Sequence, residues 1–319
     1  AEPVCIWSAM DSGTTDALWG VDGTSDTDVF ALGSMHHYDG ASWAELPDMP
    51  EGYFNDLWVA ASDDIFVVGN SGIIYRYDGS TWTAMNSGTT RQIRDVWGSS
   101  GSDIFAVGGY EYSEVNDGFI LHYDGSEWRE VASGIAPFLD AVWGSSGNDV
   151  FAVGGWGTIL HYDGSEWSAM SGGTTQHLYG VWGSSGSDVF AAGGSGTILH
   201  YDGNDWSAMN SGTSEWLHDV WGSSGSDVFA VGNNGIVLHY DGSEWSAMSS
   251  GTTRRLSGVW DSNGSDVFAV GSLGTILYYD GDEWSAMSSG PTPIGALRAV
   301  WGSGDSNIFA VGGKYEFPY

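Results

Sequence analysis

A single cysteine, Cys5, stands in a chain of 319 residues, so no internal disulfide can form and the fold must be held by packing and hydrogen bonds. Lysine and arginine together number eight against 41 aspartates and glutamates, a net charge of −33. Nucleic acid binding needs clustered cations to displace counterions from phosphates, and that class of partner is excluded. No apolar run approaches the ~18 residues of a membrane helix. Nor does any useful stretch carry apolar residues at the helical period, and Leu, Lys and Glu are scarce, which leaves an all-β chain. The opening "AEPVC" has the form of a mature end left by signal-peptide removal, so the expected location is secreted, extracellular or periplasmic. Cys5 reads as a small packed residue in a closing strand.

What the chain has in abundance is repetition. The run "VWGSSGSDVFAVGNNGIVLHYDGSEWSAM" at 220–248 recurs almost unchanged at 142–170 and 181–209, among 50 glycines and 18 tryptophans. Two tryptophan series mark the copies. One sits at "VWG" (Trp19, Trp58, Trp97, Trp143, Trp182, Trp221, Trp260, Trp301), the other at "WSAM" (Trp7, Trp43, Trp82, Trp128, Trp167, Trp206, Trp245, Trp284). The "VWG" members lie 39 residues apart except for steps of 46 after Trp97 and 41 after Trp260, a period that suits four short strands. Strand A falls at "LHDVWG", strand B at "DVFAVG", strand C at "GIVLHYDG" and strand D at "EWSAM", with tight-hairpin signals between them.

Four hairpin-joined strands make a propeller blade. The expected fold is one all-β domain over 1–319, an eight-bladed β-propeller of four-stranded antiparallel blades, with a seven-bladed ring as the alternative. The blades are expected at about 16–46, 55–85, 94–131, 140–170, 179–209, 218–248, 257–287, and 298–319 plus 4–10. In that scheme "CIWSAM" near the N-terminus supplies strand D to a last blade built from "LRAVWG", "NIFAVG" and "KYEFPY", leaving no open sheet edge.

The motifs "VWGSS", "SDVFAVG" and "ILHYDGSEW" resemble the near-identical repeats of recently amplified, secreted bacterial β-propellers, and the resemblance covers essentially the whole chain. It implies the architecture and no shared chemistry that could be carried to particular residues. "YDGSEW" lacks the Ser-x-Asp-x-Gly spacing of the Asp-box found in sialidase-type propellers, so no sialidase site is transferred.

Residues repeated in every copy serve the packing that every copy shares. Asp163, Asp202 and Asp241 precede Gly as turn formers, and Asp149, Asp188, Asp227 and Asp266 are expected to fold back onto loop amides before strand B. Calcium would need several oxygens within ~2.6 Å, which one carboxylate per blade does not promise; it stays an open alternative and no other cofactor is implied. The strand C histidines (His37, His122, His161, His200, His239) sit one per blade, too far apart for a shared zinc ion. No Ser-His-Asp set, Cys-His set or phosphate loop stands out, and the chain reads as non-enzymatic. A hydrolase at the channel mouth is the least favoured alternative, resting on Asp56, Asp95 and Asp219 of strand A.

The copies disagree in the D–A link and the B–C turn, which emerge on the same face of an up-and-down blade. Six of the eight basic residues fall there: Arg91, Arg94, Arg254, Arg255, Arg298 and Lys314. So do Trp156, Trp216, Tyr110, Tyr112, Phe138, His177, Tyr179 and His218, together with the insertion in "YEYSEVNDG". Aromatics with arginine are a binding vocabulary for protein and, by stacking, for carbohydrate. The expected function is a secreted binding module or scaffold engaging a protein or surface glycan through this face. The alternative is a self-assembling subunit that stacks basic loops on the acidic opposite face.

Overall fold

The computed structural model describes residues 17–110, 117–133, 137–261, 264–287, 295–304 and 307–313. They form seven four-stranded antiparallel sheets, each in the order A-B-C-D, within 20–45, 54–84, 93–133, 139–171, 178–209, 217–248 and 256–287. In the sixth blade the strands are Leu217–Ser224, Asp227–Gly232, Val237–Tyr240 and Trp245–Met248. The innermost A strands follow one another around the ring axis.

The blade count is a correction. Among the described residues there are seven four-stranded blades, not eight, and the last unit contributes a two-stranded sheet of Ala296–Gly302 and Ile308–Gly313. A motif count registers A strands, whereas a blade needs all four. The segments expected to close the ring, 4–10 and 314–319, lie outside the described residues, as do Trp7 and Cys5. The two-stranded sheet packs against the first blade, where Phe309 and Val311 join Leu18, Val21 and Val29 in one core cluster. The Leu18 amide donates to the Gly312 carbonyl at 3.4 Å.

Blades adhere through two repeated contacts. The buried strand B phenylalanine meets the next blade's Tyr and Trp: Phe151 lies 5.4 Å from Tyr201 and 6.0 Å, edge-on, from Trp206, geometries that suit the ring quadrupoles. Phe309 repeats this with Tyr38 and Trp43 across the seam. The "VWG" tryptophan in turn covers the glycine of the next blade's "WG" pair. A Cβ on Gly183 would stand 2.7 Å from Trp143, and one on Gly302 the same distance from Trp260.

Strand register also corrects the first tryptophan series. In blade 2, Trp58 pairs with Phe66 of strand B; in blade 1 it is Asp22, not Trp19, that pairs with Phe30. "VDG" therefore takes the place of "VWG" in blade 1, and Trp19 stands three residues earlier. The neighbouring blade compensates. Where Trp would need Gly, the small Asp22 faces Val59 and accepts its backbone N–H at 2.8 Å.

The B–C turns Ser71-Gly72, Trp156-Gly157, Ser195-Gly196, Asn234-Gly235 and Leu273-Gly274 place both central residues at positive φ, between 54° and 73°. That is the type I′ hairpin turn, whose twist matches that of the strands it joins. The C–D turns are held by the "DG" aspartate. Asp163 Oδ1 accepts the amides of Ser165 and Glu166 at 2.9 and 3.0 Å, as its turn-forming role requires.

Candidate binding face

Repeated polar residues prove to be occupied by structure. Asp149 accepts from Ser145 Oγ at 2.5 Å and pairs with His161 Nε2 at 2.7 Å, and His161 stacks on Phe151 with centroids 4.3 Å apart. Asp188 and Asp227 hold His200 and His239 in the same way, and Asp266 accepts from Tyr278. This corrects the expectation that Asp149, Asp188 and Asp227 fold onto loop amides: their partners are the strand A serine and the strand C histidine. The aspartate, not the histidine, is central, so the serine hydroxyl has no imidazole to activate it. Among the described residues no three His, Cys, Asp or Glu side chains converge to hold a metal ion.

The strand A carboxylates expected near the axis are likewise engaged. Asp56, Asp95 and Asp219 accept the backbone amides of Val96, Val142 and Val259 in the following blade, at 3.1, 2.7 and 2.9 Å. Enclosure by the inner strands pushes Asp219 up to about 7, against the lowering effect of the two amides it accepts. Burial pushes Asp56 well above the usual carboxylate range, with the charge of Asp95 and a hydrogen bond between the two adding to it. Burial raises Asp95 as well.

The variable face holds five of the six large apolar side chains that stand exposed among the described residues. They are Trp156 (62%), Trp216 (49%), Tyr110, and two that sequence reasoning missed, Tyr53 (73%) and Leu273 (64%); the sixth, Val131, lies on a D strand. Tyr53 lies in the first D–A link and Leu273 at a B–C turn, so their place in the variable connections was the available signal.

The structure divides the remaining residues of the expected site. Phe138 is 1% exposed and thus part of the core, capped by Arg94 at 4.9 Å and by the edge of His177 at 5.2 Å. Arg94 is committed to Asp140 at 2.7 Å and to the Gly109 carbonyl at 3.0 Å. Arg91 lies 4.1 Å over Phe119, bonds to the Asp117 carbonyl and pairs with Glu130. Arg94 and Phe138 thus join blade 3 to blade 4, whereas Arg91 is engaged within blade 3. Arg298 covers Trp19 at 4.0 Å across the ring seam. Tyr112 and Lys314 lie outside the described residues.

What does converge is a patch on blades 5 to 7. His177, Tyr179, Trp216 and His218 form a ring ladder, with Tyr179 stacked on Trp216 at 5.8 Å and 28° and standing 5.8 Å from His218. The charge of Arg255, after desolvation, lowers the His218 pKa against the opposing hydrogen bond that His218 Nε2 makes to the Asn233 Oδ1 acceptor at 2.9 Å. Arg255 remains solvent-accessible, yet crowding of its head group lowers its own pKa and Tyr179 opposes that shift. Arg254 bonds to the Leu273 carbonyl at 3.2 Å and to Thr275 Oγ1 at 3.4 Å, setting it beside that exposed turn.

No protein-family model matches this chain, and no curated protein matches its sequence. Several solved structures share its shape. A structure described as YCF48 bound to D1 peptide is 17% identical, with a TM-score of 0.62 over 82% of this chain and 89% of that one. YCF48 from Cyanidioschyzon merolae is 15% identical, with a TM-score of 0.58 over 93% and 96%. The C-terminal WD40 domain of Sif2 is 12% identical, with a TM-score of 0.71 over 93% of each chain. At such identities the likeness is one of fold, the β-propeller.

Proposed function

We propose that this protein is a non-enzymatic binding module that engages a protein partner through the face carrying the D–A and B–C connections. The observation that carries this reading is the concentration of exposed Trp156, Trp216, Tyr110, Tyr53 and Leu273 on one face of an otherwise acidic ring. Exposed aromatics beside arginine are the residues that dominate interface energies. The strand A carboxylates support a non-catalytic role, since each already accepts backbone amides. The structurally similar YCF48, described with a bound peptide, is a precedent for a propeller holding a polypeptide.

The test is selection of binders from a displayed random-peptide library on the wild-type chain. Recovered peptides are then measured on a Trp156→Ala, Trp216→Ala double variant. The expected loss is about 2 kcal/mol, roughly 30-fold in Kd, with thermal stability preserved. Recovered peptides that bind both proteins equally would remove this face as the site.

A further inference from the structure

A chain with 41 acids and eight bases should leave no cation unpaired. Most of its arginines obey. Arg76 pairs with Asp64, Arg91 with Glu130, Arg94 with Asp140, and Arg129 with Asp124 and Glu127. Arg254 and Arg255 depart from this: among the described residues neither has a carboxylate partner, although both are exposed. They are adjacent in sequence and lead into the strand Leu256–Asp261, which packs beside the strand Leu217–Ser224 that carries His218, and the charge of Arg255 acts on His218 and on Tyr179.

Building on the protein-binding reading above, we infer that Arg254 and Arg255, with Tyr179, Trp216 and His218, form a site for an acidic peptide segment bearing an aromatic side chain. The carboxylates would meet the two guanidinium groups, whose planar forks suit bidentate contacts. The aromatic side chain would pack on Trp216, half of whose surface is open even though one side is taken by Tyr179. His218 is held towards its neutral form by desolvation and by Arg255, so it adds a hydrogen-bonding ring without adding charge. Charge complementarity selects the occupant. A basic peptide would face two uncompensated arginines, and a polyanion such as nucleic acid would face the charge of −33 beyond them.

The experiment uses the full chain and two short fluorescent peptides of equal length, each with one tryptophan, flanked by glutamates in one and by glutamines in the other. Fluorescence anisotropy is expected to show the glutamate peptide binding at least about tenfold tighter to the wild type. That preference should vanish in Arg255→Ala and in the Arg254→Ala, Arg255→Ala double variant, each with an unchanged melting temperature. It should survive in Arg129→Ala, which removes the same charge from the other face. Trp216→Ala should weaken both peptides. Equal binding of the two peptides to the wild type, with loss of both in Trp216→Ala, overturns the acidic specificity and leaves the protein-binding reading standing. Absence of binding by either peptide overturns the inference. So would sedimentation velocity showing that the arginines serve self-association, because the occupant would then be a second copy of this chain.

Discussion

Trp156 stands at φ 56° in the first central position of a type I′ turn, where the equivalent residues are Ser71, Ser195, Asn234 and Leu273. Left-handed backbone costs an ordinary L-residue roughly 1–2 kcal/mol and suits Gly or Asn. A tryptophan there, 62% exposed, recovers little of that cost from packing. Trp156→Asn is therefore expected to stabilise the fold by about 1 kcal/mol, measured by urea denaturation, while weakening any ligand of the variable face. A loss of stability on that substitution would show that the indole has a packing role. Arg94 illustrates the converse at the same scale: it is a loop-face cation by sequence, yet its bonds to Asp140 and Gly109 make it a structural residue.

At the scale of the element, the inner strands carry the joints between blades. Gly183 lies under Trp143, and an added Cβ would stand 2.7 Å from the indole and 2.9 Å from the Asp188 carbonyl. Gly183→Ala is expected to cost about 1–3 kcal/mol by overpacking. Trp182→Ala should cost about 3–5 kcal/mol by opening a cavity, since that indole is buried in its blade's core cluster. Trp19→Ala should cost far less, because Trp19 lies outside the inter-blade position that Asp22 occupies. Chemical denaturation of the three variants checks the register directly, and equal costs for the two tryptophans would contradict it.

For the whole molecule, carboxylates of two kinds set the response to pH. Burial raises Asp22 and Asp219 to about 7, while turn amides and serine hydroxyls hold Asp163 and Asp241 at about 2. A raised acid binds protons in the folded state that the unfolded chain has released. Its contribution is fully present below its unfolded pKa, about 4, and is lost as pH rises through 7. The turn aspartates act in the opposite sense, contributing above about 4 and losing that contribution as pH falls towards 2. Thermal stability is thus expected to peak at about pH 4–5 and to decline by pH 7, and the charge of −33 reinforces the decline through self-repulsion. Asp219→Asn keeps an oxygen for the Val259 amide and cannot ionise, so its melting temperature should fall less between pH 5 and 7 than that of the wild type. Parallel melting curves across that range would remove Asp219 as a source of the pH dependence.

Much of this architecture is local and therefore legible in the sequence. Alternating strands, "DG" and "NG" turn chemistry and a period near 39 residues determine the all-β blades, the strand order within each, and which connections share a face. The aromatic exposure of Trp156 and Trp216 was legible for the same reason, because both interrupt a repeated turn or link. What only the tertiary structure decided depends on contacts between blades. Phe138 is buried because Arg94 and His177 reach over it from neighbouring blades. Trp19 leaves the tryptophan series because β-pairing aligns Asp22 with Phe30, and a motif match cannot see pairing. The count of complete blades also differs, since each repeat names an A strand but only hydrogen bonding shows whether four strands join into a sheet. The two arginines that have no carboxylate partner among the described residues emerge last, because only a folded ring reveals which cations the surrounding acids fail to reach.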